Sequence, residues 1–434
     1  MKIAWFTPFC KKSAIGRYSK FATVALSKYA NVDLFVYEHE ELHSTKLRVI
    51  NYNSETVLSQ LVDYDICIYN IGDNSNYHAA IYDVMKQRRG IAILHDVCLH
   101  NFFRGYYIAH LQTPDEYVKL MKQMYGSDAD IIFAASMTTS SWAEINLLDY
   151  HMTELLYPYC LGIAVHSNYH ALHLQPHYKG AIKTLPLIYE NEWNLGKNNR
   201  AFKGYDTEKI NLLTVGMINP NKRIHNSIKA IGSDTVLRSK VNLTCIGSLE
   251  NKEYVDQLYK QIEEMGLEEN VKLLGFVEHT ELADYYKNAD VMLNLRYPAY
   301  EGGSASLVEQ LQLGKLLIVS DTGVYSEVPD RCVIKIDVKD EVKSLKNALL
   351  KIVNNPAIFQ KHGEKALAYA NQTFTAENYG EKLHSFVEHV EFLSPLNSLM
   401  DLLGQELRAI GVSPDMQICR KLSQEVELLY QLNP

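Results

Sequence analysis

Short runs of β-branched and aromatic residues alternate with helical stretches along most of the chain, and the alternation occurs in two series. KIAWF at the start, VDLFVY from Val32, DICIYNI from Asp65, GIAILH from Gly90 and GIAVHS from Gly162 form the first. INLLTVG from Ile210, VNLTCIG, VKLLGFV, DVMLNL and KLLIVS form the second. Strands separated by helices pair through crossovers, so each series predicts a doubly wound parallel sheet with helices on both faces. Between them YENEWNLGKNNRAFKGYDTEK, from Tyr189, is polar and rich in Asn, Gly and Lys, the composition of a linker. Two α/β domains then face each other across a cleft, and parallel sheets bind ligands at the carboxyl ends of their strands.

A length of 434 residues suits two large domains or three ordinary ones, with enough apolar residues for sizeable cores. The 43 basic and 51 acidic residues leave a charge of -8, which argues against a nucleic-acid partner or a polybasic membrane anchor. Seven scattered cysteines without a C-x-x-C pair fit reduced thiols and a cytoplasmic location. The apolar run in MKIAWFTPF is too short for a secretory segment, so any membrane contact is expected to be peripheral. Residues 394–434 form a helical tail, with Leu396, Leu399, Met400, Leu403, Leu407 and Ile410 at helical spacing before Gly411. A second tail helix is expected from Ser413-Pro414. The tail is read either as a pair of helices packed on the body or as a docking surface for a protein or a membrane.

The segment YEGGSASLVEQLQLGKLLIVSDTGVYSEVPD, from Tyr300, carries the most chemistry. Small residues from Gly302 to Ser306 let a ligand approach the backbone, and the first-turn amides of the helix that follows suit a phosphate. Glu301 and Glu309 offer acceptor oxygens to hydroxyls on either side of a pyrophosphate, a sugar and a ribose for instance.

This segment resembles the Glu-x7-Glu signature of the retaining nucleotide-sugar glycosyltransferases of family 4, which have the GT-B fold. The likeness continues through Gly314 and SDTG to Glu327, and LLTVGMINPNKR and GFVEHTELADYYKNADVMLNL resemble further family segments. It implies a Rossmann-like acceptor-side domain over 1–190 and a nucleotide-sugar-binding Rossmann-like domain over 205–373. A crossover helix over 374–393 would return to the first domain. By the same likeness Lys222 neutralises the donor diphosphate, Glu301 contacts the transferred sugar and Glu309 holds the ribose. The main chain at Gly302, Gly303, Ser306 and Leu307 meets the phosphate, and that at Val277 meets the base. Where the family commonly has an arginine, Gly216 is followed by Met217, and Arg223 or Arg296 is the candidate replacement. His95, in ILHDVCLH, resembles a strand-end histidine beside the donor sugar; Asp96 follows it, and His100 is a weaker candidate. Gly16 resembles a glycine in the loop that reaches the diphosphate, and Lys11, Lys12, Arg17 and Lys20 make that rim basic, which suits an anionic acceptor or a solvated charge run.

The implied reaction moves a hexose from GDP-mannose, or secondly a UDP-hexose, to a glycan or lipid-linked glycan of a bacterial surface polysaccharide. Asp63-Tyr-Asp65 and Asp128-Ala-Asp130 resemble metal-binding D-x-D pairs but read better as acids flanking a strand or helix. No H-E-x-x-H or clustered Cys/His ligands stand in the sequence, so no metal or other cofactor is expected to be required. Two rivals remain: a sugar-nucleotide-binding subunit without catalysis, and a nicotinamide oxidoreductase with Glu38 at the ribose, for which the G-x-G-x-x-G fingerprint is missing.

Overall fold

The computed structural model describes residues 1–37, 40–53, 56–136, 147–190, 193, 202–355, 357–413 and 416–431. Glu38, residues 191, 192 and 194–201 of the linker, and Pro414 lie outside the described residues. The chain forms two compact units. Unit one takes in Met1–Ile188, Tyr300–Gly303 and Ala376–Pro434; unit two takes in Tyr189–Ala299 and Ser304–Thr375.

In unit one, β1 (Lys2–Phe6), β2 (Asn31–Val36), β3 (Val49–Asn51), β4 (Ile66–Ile71), β5 (Gly90–Leu94), β6 (Cys160–Val165) and β7 (Ala181–Thr184) make one sheet. Every pairing is parallel, in the order β3-β2-β1-β4-β5-β6-β7. β4 and β5 are buried along their whole length, which is why they read as unbroken apolar runs. The edge strands β3 and β7 carry no comparable apolar run and gave no signal in the sequence.

Two helices of this unit meet closely, Ala14–Leu26 and Ala376–Phe392. A Cβ on Gly380 would stand 2.7 Å from the Ala25 carbonyl oxygen, and one on Gly162 of β6 would stand 2.6 Å from Val390 Cγ2. The glycines let the second helix sit against both the first helix and the sheet. Tyr18 and Tyr379 hydrogen-bond through their hydroxyls between the two helices. The tail helix Ser394–Ala409 carries Pro395 in its first turn and ends before Gly411 at φ 77°. Its Leu399, Leu402, Leu403 and Ile410 are exposed. The second tail helix begins at Gln417, later than the Ser413-Pro414 start read from the sequence. Among the described residues, no helix is long and apolar enough to cross a membrane.

In unit two, β8 (Ile210–Val215), β9 (Val241–Ile246), β10 (Val271–Leu273), β11 (Val291–Asn294), β12 (Leu316–Ser320) and β13 (Ile334–Ile336) pair in parallel in the order β10-β9-β8-β11-β12-β13. The strand expected over VKLLGFV stops at Leu273, and Gly275, at φ 71°, turns the chain before Val277. β13 was not foreseen; IKI is too short to give a pattern.

Candidate functional site

In unit two the strand order reverses between β8 and β11, the place where an open parallel sheet leaves a crevice. The turn after β8 holds Lys222, and the loop after β11 leads into the helix Ala305–Gln312. These two connections are tied together, the Tyr297 amide donating to the Asn221 carbonyl at 2.9 Å. Lys222 is buried, and its Nζ donates to the Val215 carbonyl at 2.6 Å. Gly216, at φ 108°, makes room for it, since a Cβ there would lie 2.6 Å from Nζ.

Ser304 caps the helix Ala305–Gln312, its Oγ accepting from the Leu307 amide at 3.3 Å. The Leu307 amide is thus engaged by the cap, and the amides of the first turn before it lack intrahelical partners by the geometry of any helix start. Ser306 Oγ accepts from Asn294 Nδ2 at 3.2 Å. One turn further, the Glu309 carboxylate is buried among three donors. Tyr189 and Tyr286 donate their hydroxyls at 2.8 Å, and Trp193 donates its indole N–H to the oxygen Tyr189 uses. A carboxylate accepts about four hydrogen bonds, so three donors leave Oε2 room for one more.

Val277 is half-buried in the loop after β10. Arg223 sits in the left-handed conformation at φ 59°, where its Nε donates to the buried Glu341 carboxylate at 2.8 Å. Asn226 also donates to that Glu341 oxygen. Arg296 donates to the Leu295 carbonyl at 2.8 Å, and Met217 is half exposed. Both candidate replacements for the family arginine therefore have hydrogen-bond partners within their own unit.

In unit one, His95 follows β5 directly and is buried. Its Nε2 meets Asn70 Oδ1 at 3.2 Å and its Nδ1 meets His166 Nε2 at 3.1 Å. Asn70 Nδ2 donates to the Phe6 carbonyl at 2.9 Å, and His166 Nδ1 faces the Leu185 carbonyl at 3.3 Å. This row ends in a carbonyl on each side, so its four links need four protons, while the amide and two neutral imidazoles supply three. With both rings neutral, one of the four links is left without a proton. Burial keeps them neutral, lowering His166 to about 4 and His95 well below its ordinary value.

Glu301 belongs to this unit. It pairs with Asp96 in an antiparallel bridge, the Gly302 amide donates to the His95 carbonyl at 2.9 Å, and the Val97 amide donates to the Tyr300 carbonyl at 2.9 Å. A Cβ on Gly302 would stand 2.3 Å from His170 Nδ1, and one on Gly303 2.7 Å from His166 Cβ. Two buried histidines thus leave no room for a side chain at Gly302 or Gly303. His170 is fully buried, and neither of its ring nitrogens has a hydrogen-bond partner.

Asp96 accepts from the Asp73 amide at 2.9 Å, and burial, with Glu301 adding to it, pushes its pKa up to about 6. The ring nitrogens of His100 meet the Tyr150 carbonyl at 2.8 Å and the Tyr117 hydroxyl at 2.7 Å. Gly16 is the third residue of its helix rather than a residue before it, and a Cβ there would stand 2.9 Å from the Pro8 carbonyl oxygen. Lys11 pairs with Glu41 and Lys12 with Glu40, so part of the basic rim is neutralised by exposed partners. Sequence reasoning missed Asn70, His166 and His170, although VHS after β6 repeats the strand-end pattern of LHD after β5. It also found no clustered metal ligands, whereas folding gathers His151, Glu154 and His177.

Residues 197–372 match the family model for glycosyl transferases group 1. No curated protein matches the chain in sequence. Among solved structures, the chain is similar to the sucrose-phosphate synthase (tll1590) from Thermosynechococcus elongatus, with TM-score 0.59 and 15% identity over 95% of this chain and 100% of that one. Anabaena Alr3699/HepE in complex with UDP gives TM-score 0.59 and 13% identity over 89% and 100%. WaaG, a glycosyltransferase involved in lipopolysaccharide biosynthesis, gives 0.57 and 17% over 89% and 99%. The fold is of the GT-B type, two Rossmann-like parallel-sheet units with a helical C-terminal region. Family match and fold together support a glycosyltransferase.

Proposed function

We propose that the chain is a retaining hexosyltransferase of surface-polysaccharide synthesis, taking its sugar from a nucleoside-diphosphate donor and passing it to a hydroxyl of a glycan or lipid-linked glycan. The observation that carries this is the match to glycosyl transferases group 1 over 197–372, a span that contains Lys222, Glu301 and Glu309. As the glycosidic bond breaks, negative charge gathers on the β-phosphate. A lysine and the first-turn amides of a capped helix, beside one switch point, are suited to stabilise it. Glu309 takes a ribose hydroxyl at its remaining lone pair, while Glu301 and His95 hold the sugar. His95 orients rather than abstracts a proton; the acceptor hydroxyl loses its proton toward the leaving phosphate on the front face.

GDP-mannose is the first donor from the sequence, and the UDP and UDP-glucose complexes of the similar Anabaena protein support a UDP-hexose beside it. The partnered states of Arg223 and Arg296, with Met217 where a cation is expected, favour as second reading a sugar-nucleotide-binding subunit without transfer.

Thermal unfolding with GDP, UDP, TDP, ADP or NAD, each with and without EDTA, tests the reading against a nucleotide-free control in the same buffer. A ligand at about 100 times its Kd adds about 2.7 kcal/mol. One nucleoside diphosphate is expected to raise the midpoint in both buffers, and its sugar esters then to be consumed with an acceptor. A shift from NAD alone, or from none, overturns the proposal, and binding without transfer selects the second reading.

A further inference from the structure

Away from the residues discussed above, unit one gathers His151, Glu154 and His177 so that one ligand atom from each lies within 4.8 Å of the others. The first two stand on a turn pinned to the body of the unit. The Leu99 amide donates to the His151 carbonyl at 2.8 Å, Thr153 Oγ1 donates to the Val97 carbonyl at 3.0 Å, and the Met152 amide donates to the Tyr125 hydroxyl at 3.1 Å. Met152, fully buried, takes the left-handed conformation at φ 56°, which an ordinary side chain holds only where its surroundings enforce it. His177 is fixed at the end of the helix Asn168–Leu174, its amide donating to the Leu174 carbonyl at 3.0 Å.

The electrostatics of the turn are unbalanced. The Thr153 amide donates to His151 Nδ1 at 3.3 Å, so a lone pair occupies that nitrogen. Glu154 Oε2 stands 3.3 Å from the same nitrogen, is shielded from solvent and accepts no hydrogen bond. Two acceptors therefore face each other across a gap with no proton between them, unless the imidazole is charged. A cation in the gap would satisfy Glu154 Oε2 and would take over the Nδ1 lone pair from its long 3.3 Å contact with the Thr153 amide. Donor atoms about 2.0–2.2 Å from a tetrahedral zinc stand roughly 3.3–3.5 Å apart, which is the His151–Glu154 spacing, and the exposed His177 offers a third ligand atom within 4.8 Å of the other two.

We propose that His151, Glu154 and His177 bind one divalent transition-metal ion, zinc by the chemistry of its donors, as a tie that holds the 151–154 turn to the end of the helix Asn168–Leu174. Two imidazoles and one carboxylate suit zinc, whereas magnesium and calcium prefer shells made of oxygen alone. The half-exposed rim leaves a fourth position to water and gives the ion a way in.

The test uses the untagged full chain, stripped with a chelator and titrated calorimetrically with Zn²⁺ or Mg²⁺, then repeated with His177→Ala and Glu154→Gln. One zinc per chain is expected, with a rise of several degrees in the unfolding midpoint and no response to Mg²⁺ at the same concentration. Each substitution should weaken zinc binding by at least about 10-fold while leaving the midpoint of the stripped protein unchanged. His177 is exposed and Glu154→Gln is nearly isosteric, so at least one variant should fold. The absence of a stoichiometric zinc site in the parent chain overturns the proposal, as does equal affinity in both variants. Neither outcome bears on sugar transfer.

Discussion

At the level of single residues, the roles proposed for Lys222 and Glu309 differ, and substitution should separate them. Lys222→Ala should lower turnover by at least about 100-fold if the lysine stabilises charge that develops only in the transition state. Near-parental turnover in a steady-state assay removes it from that role. Glu309 is buried under three donors, and its removal takes a buried acceptor from two hydroxyls and an indole N–H. Each unsatisfied buried group costs about 1–3 kcal/mol, so Glu309→Ala should lower the unfolding midpoint by many degrees. Glu301→Ala, half exposed, should leave the midpoint nearly unchanged. Equal losses in calorimetry would count against the three-donor arrangement. The Glu-x7-Glu spacing was readable because it lies within one segment. The row through Asn70, His95 and His166 was not, because its members stand on three strands and meet only when the sheet forms.

Among the elements, the buried strands declared themselves, since a strand covered on both faces must be apolar throughout. The short edge strands β3, β7 and β13 did not, and β10 was read too long because LLGFV stays apolar after Gly275 has turned the chain. The loop Tyr300–Gly303 gave a partial reading: its glycines were noticed, but their close approach to His166 and His170, far away in sequence, was not. Gly302→Ala places a methyl group 2.3 Å from His170 Nδ1, and overpacking of this kind typically costs about 1–3 kcal/mol. The expected result is a lower unfolding midpoint together with reduced transfer, read in the same preparation. A variant as stable and active as its parent would mean that the loop is not seated on those histidines.

For the whole molecule, the titration of unit one sets its tolerance to acid. Burial lowers His78, His100 and His166 to about 4 and His170 to about 3. An unfolded histidine takes its proton near 6.5, so between that pH and about 4 the unfolded chain binds more protons and stability falls as pH drops. Asp96, raised to about 6, works in the opposite direction over the same window, because its folded form protonates first. The histidines outnumber it, so the unfolding midpoint should fall between pH 7 and 4.5 by differential scanning calorimetry, and His170→Phe should flatten the fall. A midpoint that rises across this range contradicts the burial of these rings.

Unit one draws on three separate stretches of chain, with Tyr189–Ala299 and Ser304–Thr375 running between them. Unit one is not an independent cassette: the helix Ala376–Phe392 that closes against Ala14–Leu26 is encoded after everything in unit two. During synthesis the first unit must therefore wait for nearly the whole message before its last helix can dock. For the same reason, a single backbone cut between residues 190 and 202 should leave two fragments that still migrate together under native conditions and separate only in denaturant. Co-expressed as two genes split there, they should find each other again.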